Sequence, residues 1–283
     1  MTAFLRARAI PGVETVTADG RYLRSIALDE TAGTIEVRRS EGRDARTLEA
    51  TISLADDSRL PEVVERLKVM FDLAADVRAI EAHLSQDALL RPIVARRPGL
   101  RVPGTWSGYE LAVRAILGQQ ITVAGATTLA SRLVKRFGDG ITPDGGDTVP
   151  GITHLFPSPE RLADADVAAI GMPRARALAI QTVARAALQT PQLFEPAVDR
   201  AGSISALRAL PGIGEWTAQY IAMRALRDPD AFPAGDIGLI RALAGTGGVR
   251  PSEREVARLA EPWRPWRAYA AVHLWANDAP PDS

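Results

Sequence analysis

The chain has no cysteine in 283 residues, which excludes disulfides, thiolate nucleophiles, Cys-ligated zinc and iron–sulfur clusters. Lysine is almost absent. Of 34 basic residues only Lys68 and Lys135 are lysines, so a mechanism that needs an amine nucleophile has two candidates. The three histidines, His83, His154 and His273, are too widely spaced to make a metal-binding pattern, and each reads as structural. Net charge is missing too: 34 acidic residues balance the 34 basic ones. There is thus no basic coat, and any contact with nucleic acid has to use a local patch or backbone groups. No apolar run approaches the ~18 residues of a membrane span. The opening MTAFLRARAIPG alternates charge with apolar residues and lacks the h-region of a secretory signal. These absences favour a reducing cytoplasm.

What is present is ordinary for a chain with a sizeable core: 46% hydrophobic and 24% charged residues. Disordered, coiled-coil and collagen-like proteins are excluded, and the length predicts two or three compact units. The first ~55 residues read as strands by their alternation. Leu48, Ala50, Ile52 and Leu54 alternate with Thr47, Glu49, Thr51 and Ser53, and Thr34–Val37 alternates similarly, punctuated by Gly33 and Gly42. The links are too short for helical crossovers, which predicts antiparallel pairing. Asp56–Asp57–Ser58 predicts a cap for a helix starting near Leu60–Pro61. Beyond Glu81 nothing alternates convincingly. Residues Arg96–Gly104 form a Pro/Gly-rich connector and a candidate domain boundary. Helical patterns follow at Tyr109–Gly118, Ala124–Phe137, Pro173–Leu188, Ser203–Ala209, Glu215–Leu226, Asp236–Ala244 and Trp266–Trp275, with Gly138–Pro159 largely loop. The predicted class is α+β: a small N-terminal antiparallel sheet with helices, then an all-helical body.

The chemistry concentrates in Leu207–Tyr220, LRALPGIGEWTAQY. Pro211–Gly212 forces a tight turn between two helices, and the two glycines let the backbone approach another molecule without Cβ clashes. The second helix begins with unpaired N–H groups and a positive dipole end, which suits a phosphate; an ordinary helix corner has the same signature. Asp236 follows Gly214 by 22 residues and opens an apolar helical run after Pro233 and Gly235, an N-cap pattern. A cap and a catalyst are compatible roles for one carboxylate. Trp106, Trp263 and Trp266 read as core. Arg174, Arg176 and Arg241 are equally compatible with phosphate contact and with solvated surface.

A hairpin LPGIG, a helix and an Asp about twenty residues on resemble the helix-hairpin-helix DNA glycosylases. Within them the likeness is closest to the bacterial DNA-3-methyladenine glycosylase II branch. It runs nearly end to end through FLRARAIPGVETV (4–16), RPGLRVPG (97–104), VRAILGQQ (113–120), LFPSPERLA (155–163), GMPRARA (171–177), LPGIGEWTAQY (210–220) and WRPWRAYAAVHLW (263–275). Seven segments in one order are far more specific than any single motif. The resemblance implies that Asp236 is the catalytic carboxylate and that Trp216, Tyr220 and Trp275 line the base pocket. Gly212, Ile213 and Gly214, with Gln119 and Gln120, would touch DNA. It implies a structural monovalent cation, sodium or potassium, on the carbonyls of Arg208, Leu210 and Ile213, and no cofactor for the chemistry. It also implies a monomer whose partner is damaged double-stranded DNA, with no membrane contact. The domains it suggests are 1–85, 109–228, and 86–108 joined to 229–283, with the cleft between the two helical ones.

The implied activity is excision of N3- or N7-methylated purines by hydrolysis of the N-glycosidic bond. Bifunctional relatives carry a lysine two residues after the last hairpin glycine, where this chain has Trp216, so strand cleavage through an imine is not expected. Two positions depart from the pattern. The family's wedge, often Leu, is Gln120, and the residue after the catalytic Asp, an aromatic in the best-known relatives, is Ile237. The alternatives are a non-catalytic helix-hairpin-helix DNA-binding module and a glycosylase with lyase activity.

Overall fold

The structure, a computed structural model, describes residues 1–29, 31–40, 47–141, 149–196, 199–244 and 249–278. The predicted positions 142–148 of the long loop, and Gly42, lie outside the described residues. In chain order the elements begin with α1 (Thr2–Arg8), β1 (Glu14–Val16), β2 (Tyr22–Leu28), β3 (Thr31–Arg39) and β4 (Leu48–Leu54). There follow α2 (Leu60–Met70), α3 (Val77–Leu84), α4 (Leu90–Arg96), α5 (Gly108–Leu117), α6 (Val123–Phe137), α7 (Pro159–Ala163) and α8 (Arg174–Gln189). The last are α9 (Arg200–Arg208), α10 (Glu215–Arg224), α11 (Ile237–Ala242), α12 (Glu253–Leu259) and α13 (Arg267–Asp278). The α+β class holds: one four-stranded sheet at the N-terminal end, then helices.

The sheet is an antiparallel meander in the order β1-β2-β3-β4. Leu28 pairs with Thr31, so only two residues turn the β2–β3 hairpin, and Asp29 takes the left-handed backbone that such tight turns demand. β4 carries the period-2 pattern but is an edge strand; Leu48, Ile52 and Leu54 are half-buried and Ala50 is exposed. β2 behaves oppositely. Tyr22 to Ile26 are buried without a break, on both faces, and Tyr22 Oη satisfies the buried Glu14 carboxylate at 2.5 Å. The expectation of strands from the first residue fails at α1, a short helix that packs on α6 and buries only Leu5. Asp56 caps as expected, its side chain accepting from Ser58 N at 2.9 Å in a 3₁₀ turn that runs straight into α2.

The described chain forms two compact units. The first holds residues 1–66 and 116–189, the second 67–115 and 190–283, so the chain passes between them inside α2, inside α5 and at the end of α8. The Arg96–Gly104 connector therefore lies within the second unit, and the sequence-drawn boundaries divide the chain differently. The first unit's core combines Ile10, Ile26 and Ile35 with Leu133, Ile180 and Val183 of α6 and α8. In its α5–α6 turn Gln120 is exposed with φ 59°, next to half-buried Gln119. The second unit's core contains Ile80, Leu90, Phe194, Leu239, Trp263 and Leu274. Trp106 and Trp263 are core residues as expected, whereas Trp266 is half-buried, edge-on to Tyr269. No described helix is long and apolar enough to cross a membrane.

One buried polar network and one buried histidine lie inside the second unit. Asp72 accepts from Tyr269 Oη at 2.9 Å and from Val102 N at 3.2 Å, and it pairs with the Arg227 guanidinium. Burial, with the Asp72 charge beside it, pushes the Tyr269 phenol well above its ordinary range. His273 on α13 is 1% exposed, its Nδ1 has no hydrogen-bond partner, and burial lowers the imidazole from 6.5 to about 4. The native state thus keeps the ring neutral, while the unfolded chain takes up a proton near pH 6.5. Between those values the unfolded state binds more protons, so stability falls as pH drops from about 6.5 towards 4, by about 3 kcal/mol in full. Urea titrations at pH 7 and pH 4.5 should show His273→Leu losing less stability over this interval than the wild type; equal losses would contradict the assignment.

Candidate active site

The site lies wholly in the second unit and is built from the hairpin outward. α9 ends at Arg208, and a turn closes through Ile213 N donating to the Leu210 carbonyl at 3.0 Å. Gly212 sits at φ 90°, a left-handed conformation that a β-carbon would strain. Ile213 is buried and anchors the turn, while Gly212 and Gly214 stay at the surface. Gly214 is the N-cap of α10 and supplies no capping side chain, and a β-carbon there would meet nothing within 4 Å. The start of α10 thus carries the positive end of the helix dipole with no capping side chain from Gly214. Arg208 and Glu215 pair across the hairpin at 3.0 Å.

Along α10, Trp216, Tyr220 and Arg224 recur every four residues and so share one face. Trp216 and Tyr220 stack at 5.3 Å between centroids and 10° between planes. No slot remains between these two rings, so a planar guest would have to take an outer face. Arg224, buried, donates to Tyr220 Oη at 2.7 Å and to the carbonyls of Pro103 and Gly104 at 2.8 and 2.9 Å. That fixes the phenol end of Tyr220. Trp275 comes from α13 and meets Tyr220 edge-on at 6.4 Å.

Asp236 sits at the focus of these rings. It is the N-cap of α11, with Oδ1 accepting from Leu239 N at 3.1 Å. Oδ1 also accepts from Trp275 Nε1 at 2.8 Å, and Oδ2 accepts from Trp216 Nε1 at 2.9 Å. The cap reading and the candidate-catalyst reading therefore describe the same carboxylate. The loop before it is tied to α10 by Gln219, whose Oε1 accepts from Phe232 N at 3.1 Å. Ile237, next to the carboxylate, is 67% exposed despite its apolar side chain. Arg241, at the far end of α11, pairs with Asp278 of α13 rather than standing free.

Of the residues marked in the sequence, Asp236, Trp216, Tyr220 and Trp275 are thus brought together, and Arg208, Leu210, Gly212, Ile213 and Gly214 lie in the hairpin that starts the same helix. Gln119 and Gln120 belong to the first unit. Three residues went unnoticed in the sequence: Gln219, Arg224 and Gly238. A glycine at the second position of a short helix was a visible sign of close approach. A β-carbon on Gly238 would lie 3.0 Å from Asp236 Oδ1 and 3.1 Å from Trp275 Cδ1. Among the described residues no group of His, Cys, Asp and Glu could hold a metal ion. The expected cation site uses backbone carbonyls instead.

Comparison with known families agrees with this geometry. Residues 1–107 match the AlkA N-terminal domain, and residues 113–265 match the HhH-GPD superfamily base excision DNA repair protein family. The chain belongs to the HhH-GPD superfamily. Among superfamily relatives, the Escherichia coli protein named DNA-3-methyladenine glycosylase 2 is 35% identical over 98% of this chain and 93% of its own length. A Mycobacterium tuberculosis protein named probable bifunctional transcriptional activator/DNA repair enzyme AlkA is 37% identical over 96% of this chain. The chain spans only 53% of that relative, about half its length. The solved structure of a 3-methyladenine DNA-glycosylase from Archaeoglobus fulgidus superposes with a TM-score of 0.78 at 25% identity, covering 98% of this chain and 93% of that one. The HhH-GPD match spans both the hairpin and Asp236, the two features from which the site was built.

Proposed function

We propose that this protein is a monofunctional DNA glycosylase that flips alkylated purines out of duplex DNA and hydrolyses their N-glycosidic bond. The observation that carries the reading is the Asp236 carboxylate, gripped by two indole N–H groups within a cluster of three aromatic rings, 22 residues beyond a backbone-exposing hairpin. An N3- or N7-methylated purine is cationic and already a good leaving group. A ring face attracts such a cation by roughly 0.5–2 kcal/mol per contact. Extruding the base from the stack costs a few kcal/mol, least at a damaged pair.

As the bond breaks, its electron pair leaves with the purine nitrogen and neutralises the base. The sugar becomes oxocarbenium-like, and the Asp236 carboxylate stabilises that charge and orients the water that adds to C1′. The water's second proton goes to solvent, leaving free base and an abasic sugar. Trp216 stands where a lyase would need an amine, and neither Lys68 nor Lys135 lies in the second unit's hairpin region, so the reading excludes an imine step. The proposed partner is damaged double-stranded DNA, bound by a monomer in the cytoplasm.

The hairpin carries the DNA phosphate in this reading. Its carbonyls at Arg208, Leu210 and Ile213 suit a sodium or potassium ion: all are backbone oxygens, and Leu210 O keeps a lone pair beyond the one that accepts Ile213 N–H. Such an ion would bridge the turn to the phosphate without taking part in bond cleavage. Gly214→Val is expected to weaken binding to every duplex sequence alike, about tenfold, corresponding to ~1.4 kcal/mol. Fluorescence anisotropy with undamaged and methylated duplexes checks this, and unchanged affinity for both would retire the hairpin assignment.

The function is tested by whether the protein liberates free methylated bases from treated duplex DNA. A non-catalytic binding module would bind such DNA and release nothing, and a lyase would also nick the strand and be trapped by borohydride.

A further inference from the structure

The two oxygens of Asp236 are not equivalent. A carboxylate offers about four acceptor sites. Among the described residues, Oδ1 has two donors, the Leu239 amide and the Trp275 indole, and so is filled. Oδ2 has one donor, Trp216, and keeps a lone pair for an incoming group. The Trp275 indole reaches Oδ1 across Gly238, where a β-carbon would stand 3.0 Å from Oδ1, 3.1 Å from Trp275 Cδ1 and 3.3 Å from Trp275 Nε1. Contacts that tight would push the indole and the carboxylate apart. Gly238 thus leaves the gap through which a ring on α13 can grip a carboxylate on α11.

We infer that Trp275 and Gly238 are positioning residues for the reaction: the indole N–H locks Oδ1 so that Oδ2 faces the sugar, and the missing side chain at position 238 makes the lock possible. This inference rests on the glycosylase reading above. It differs from a role for Trp275 as a wall alone. A wall acts through the face of its ring and affects how tightly a lesion is held, whereas a lock acts through one N–H and affects how fast the held lesion reacts. A misplacement on the scale of an ångström at a reacting group can cost up to about a hundredfold in rate.

The test is single-turnover base release from methylated duplex DNA at saturating protein, with affinity for a duplex carrying a stable abasic-site analogue measured alongside. Trp275→Phe keeps an aromatic face and removes the N–H; its rate is expected to fall about 10- to 100-fold while affinity changes less than threefold. Gly238→Ala sets a crowded methyl group against Asp236 and Trp275 but puts a better helix former into α11, so its melting temperature is expected to fall by only a few degrees while its rate falls about tenfold, a split that a merely structural glycine would not give. Replacement of Trp275 by 7-azatryptophan, which keeps the ring N–H, should restore the rate, and by benzothienylalanine, which carries sulfur there, should not.

An NMR arm reads the lock without turnover: the Trp275 indole N–H resonance should shift in Asp236→Asn and in Gly238→Ala. A wild-type rate in Trp275→Phe, or a loss seen only in affinity, overturns the inference and leaves the glycosylase standing. Absence of base release by the wild type overturns the glycosylase reading, and the positioning role with it. An indole resonance unmoved in both variants contradicts the hydrogen bond itself.

Discussion

Asp236→Asn is expected to lower single-turnover base release at least about a thousandfold while leaving binding to abasic-analogue DNA within a few-fold of wild type. Removing one preorganised group aimed at developing charge costs about 10²–10³ in rate, and the whole carboxylate charge is lost here. The amide does more than neutralise. Both oxygens of Asp236 accept from donors, Leu239 N and Trp275 Nε1 on one side and Trp216 Nε1 on the other. An asparagine presents one oxygen and one NH₂ group, so at least one indole N–H meets another donor. The better compromise puts the amide oxygen at the two-donor position and turns the NH₂ towards Trp216. Asn is as good a helix cap as Asp, so α11 keeps its first turn and the variant stays folded. Its melting temperature should change by only a few degrees in a thermal scan, which separates lost chemistry from lost fold.

Gly108→Ala is expected to destabilise the protein by about 3 kcal/mol or more, the largest stability effect of any substitution considered. Gly108 is the first residue of α5, and a β-carbon there would sit 1.9 Å from the Phe194 carbonyl oxygen and 2.9 Å from its carbon. Those are backbone atoms of a 3₁₀ turn, Pro191–Phe194, whose Phe194 side chain is buried, so neither partner can rotate away. The methyl group has to displace one backbone segment from the other. For a chain of this size that corresponds to a fall of roughly 6–12 °C in melting temperature. Calorimetry or circular dichroism melts check it; a variant melting with the wild type would show that the 3₁₀ turn does not back onto α5.

How far the sequence carried depended on whether a feature was local. The cap at Asp236 was legible because an N-cap is written in consecutive residues, and the structure places its carboxylate on Leu239 N. The seven helical patterns beyond the connector were legible from their 3.6-residue period, and each corresponds to an observed helix to within a few residues. β2 escaped individual notice because it is buried on both faces, which erases the alternation that marks a half-buried strand. α12 was missed although Ser252 and Glu255 carry its capping box in plain view; the helix is only seven residues long and buries only Val256.

The grip on Asp236 was not legible at all. Trp275 arrives 39 residues later on another helix, and whether an indole offers its face or its N–H is a matter of packing. Arg224 was invisible for the same reason, since its partners at Pro103 and Gly104 lie some 120 residues upstream. Nor could the two units be read from the sequence. The chain leaves the first unit inside α2 and re-enters it inside α5, with no Pro/Gly-rich segment at either of these two crossings, and only the last crossing, at the end of α8, falls between elements, beside Pro191. The connector that looked like a boundary is instead where the Arg224 guanidinium is satisfied.

The most direct measurement is chromatography of the free bases released from methylated duplex DNA by the wild-type protein and by Asp236→Asn, with folding of both confirmed. The wild type is expected to liberate methylated purines without nicking the strand, and the variant to liberate none above background. Equal release by the two proteins would contradict the assignment of Asp236, and no release by a folded, DNA-binding wild type would contradict the glycosylase itself.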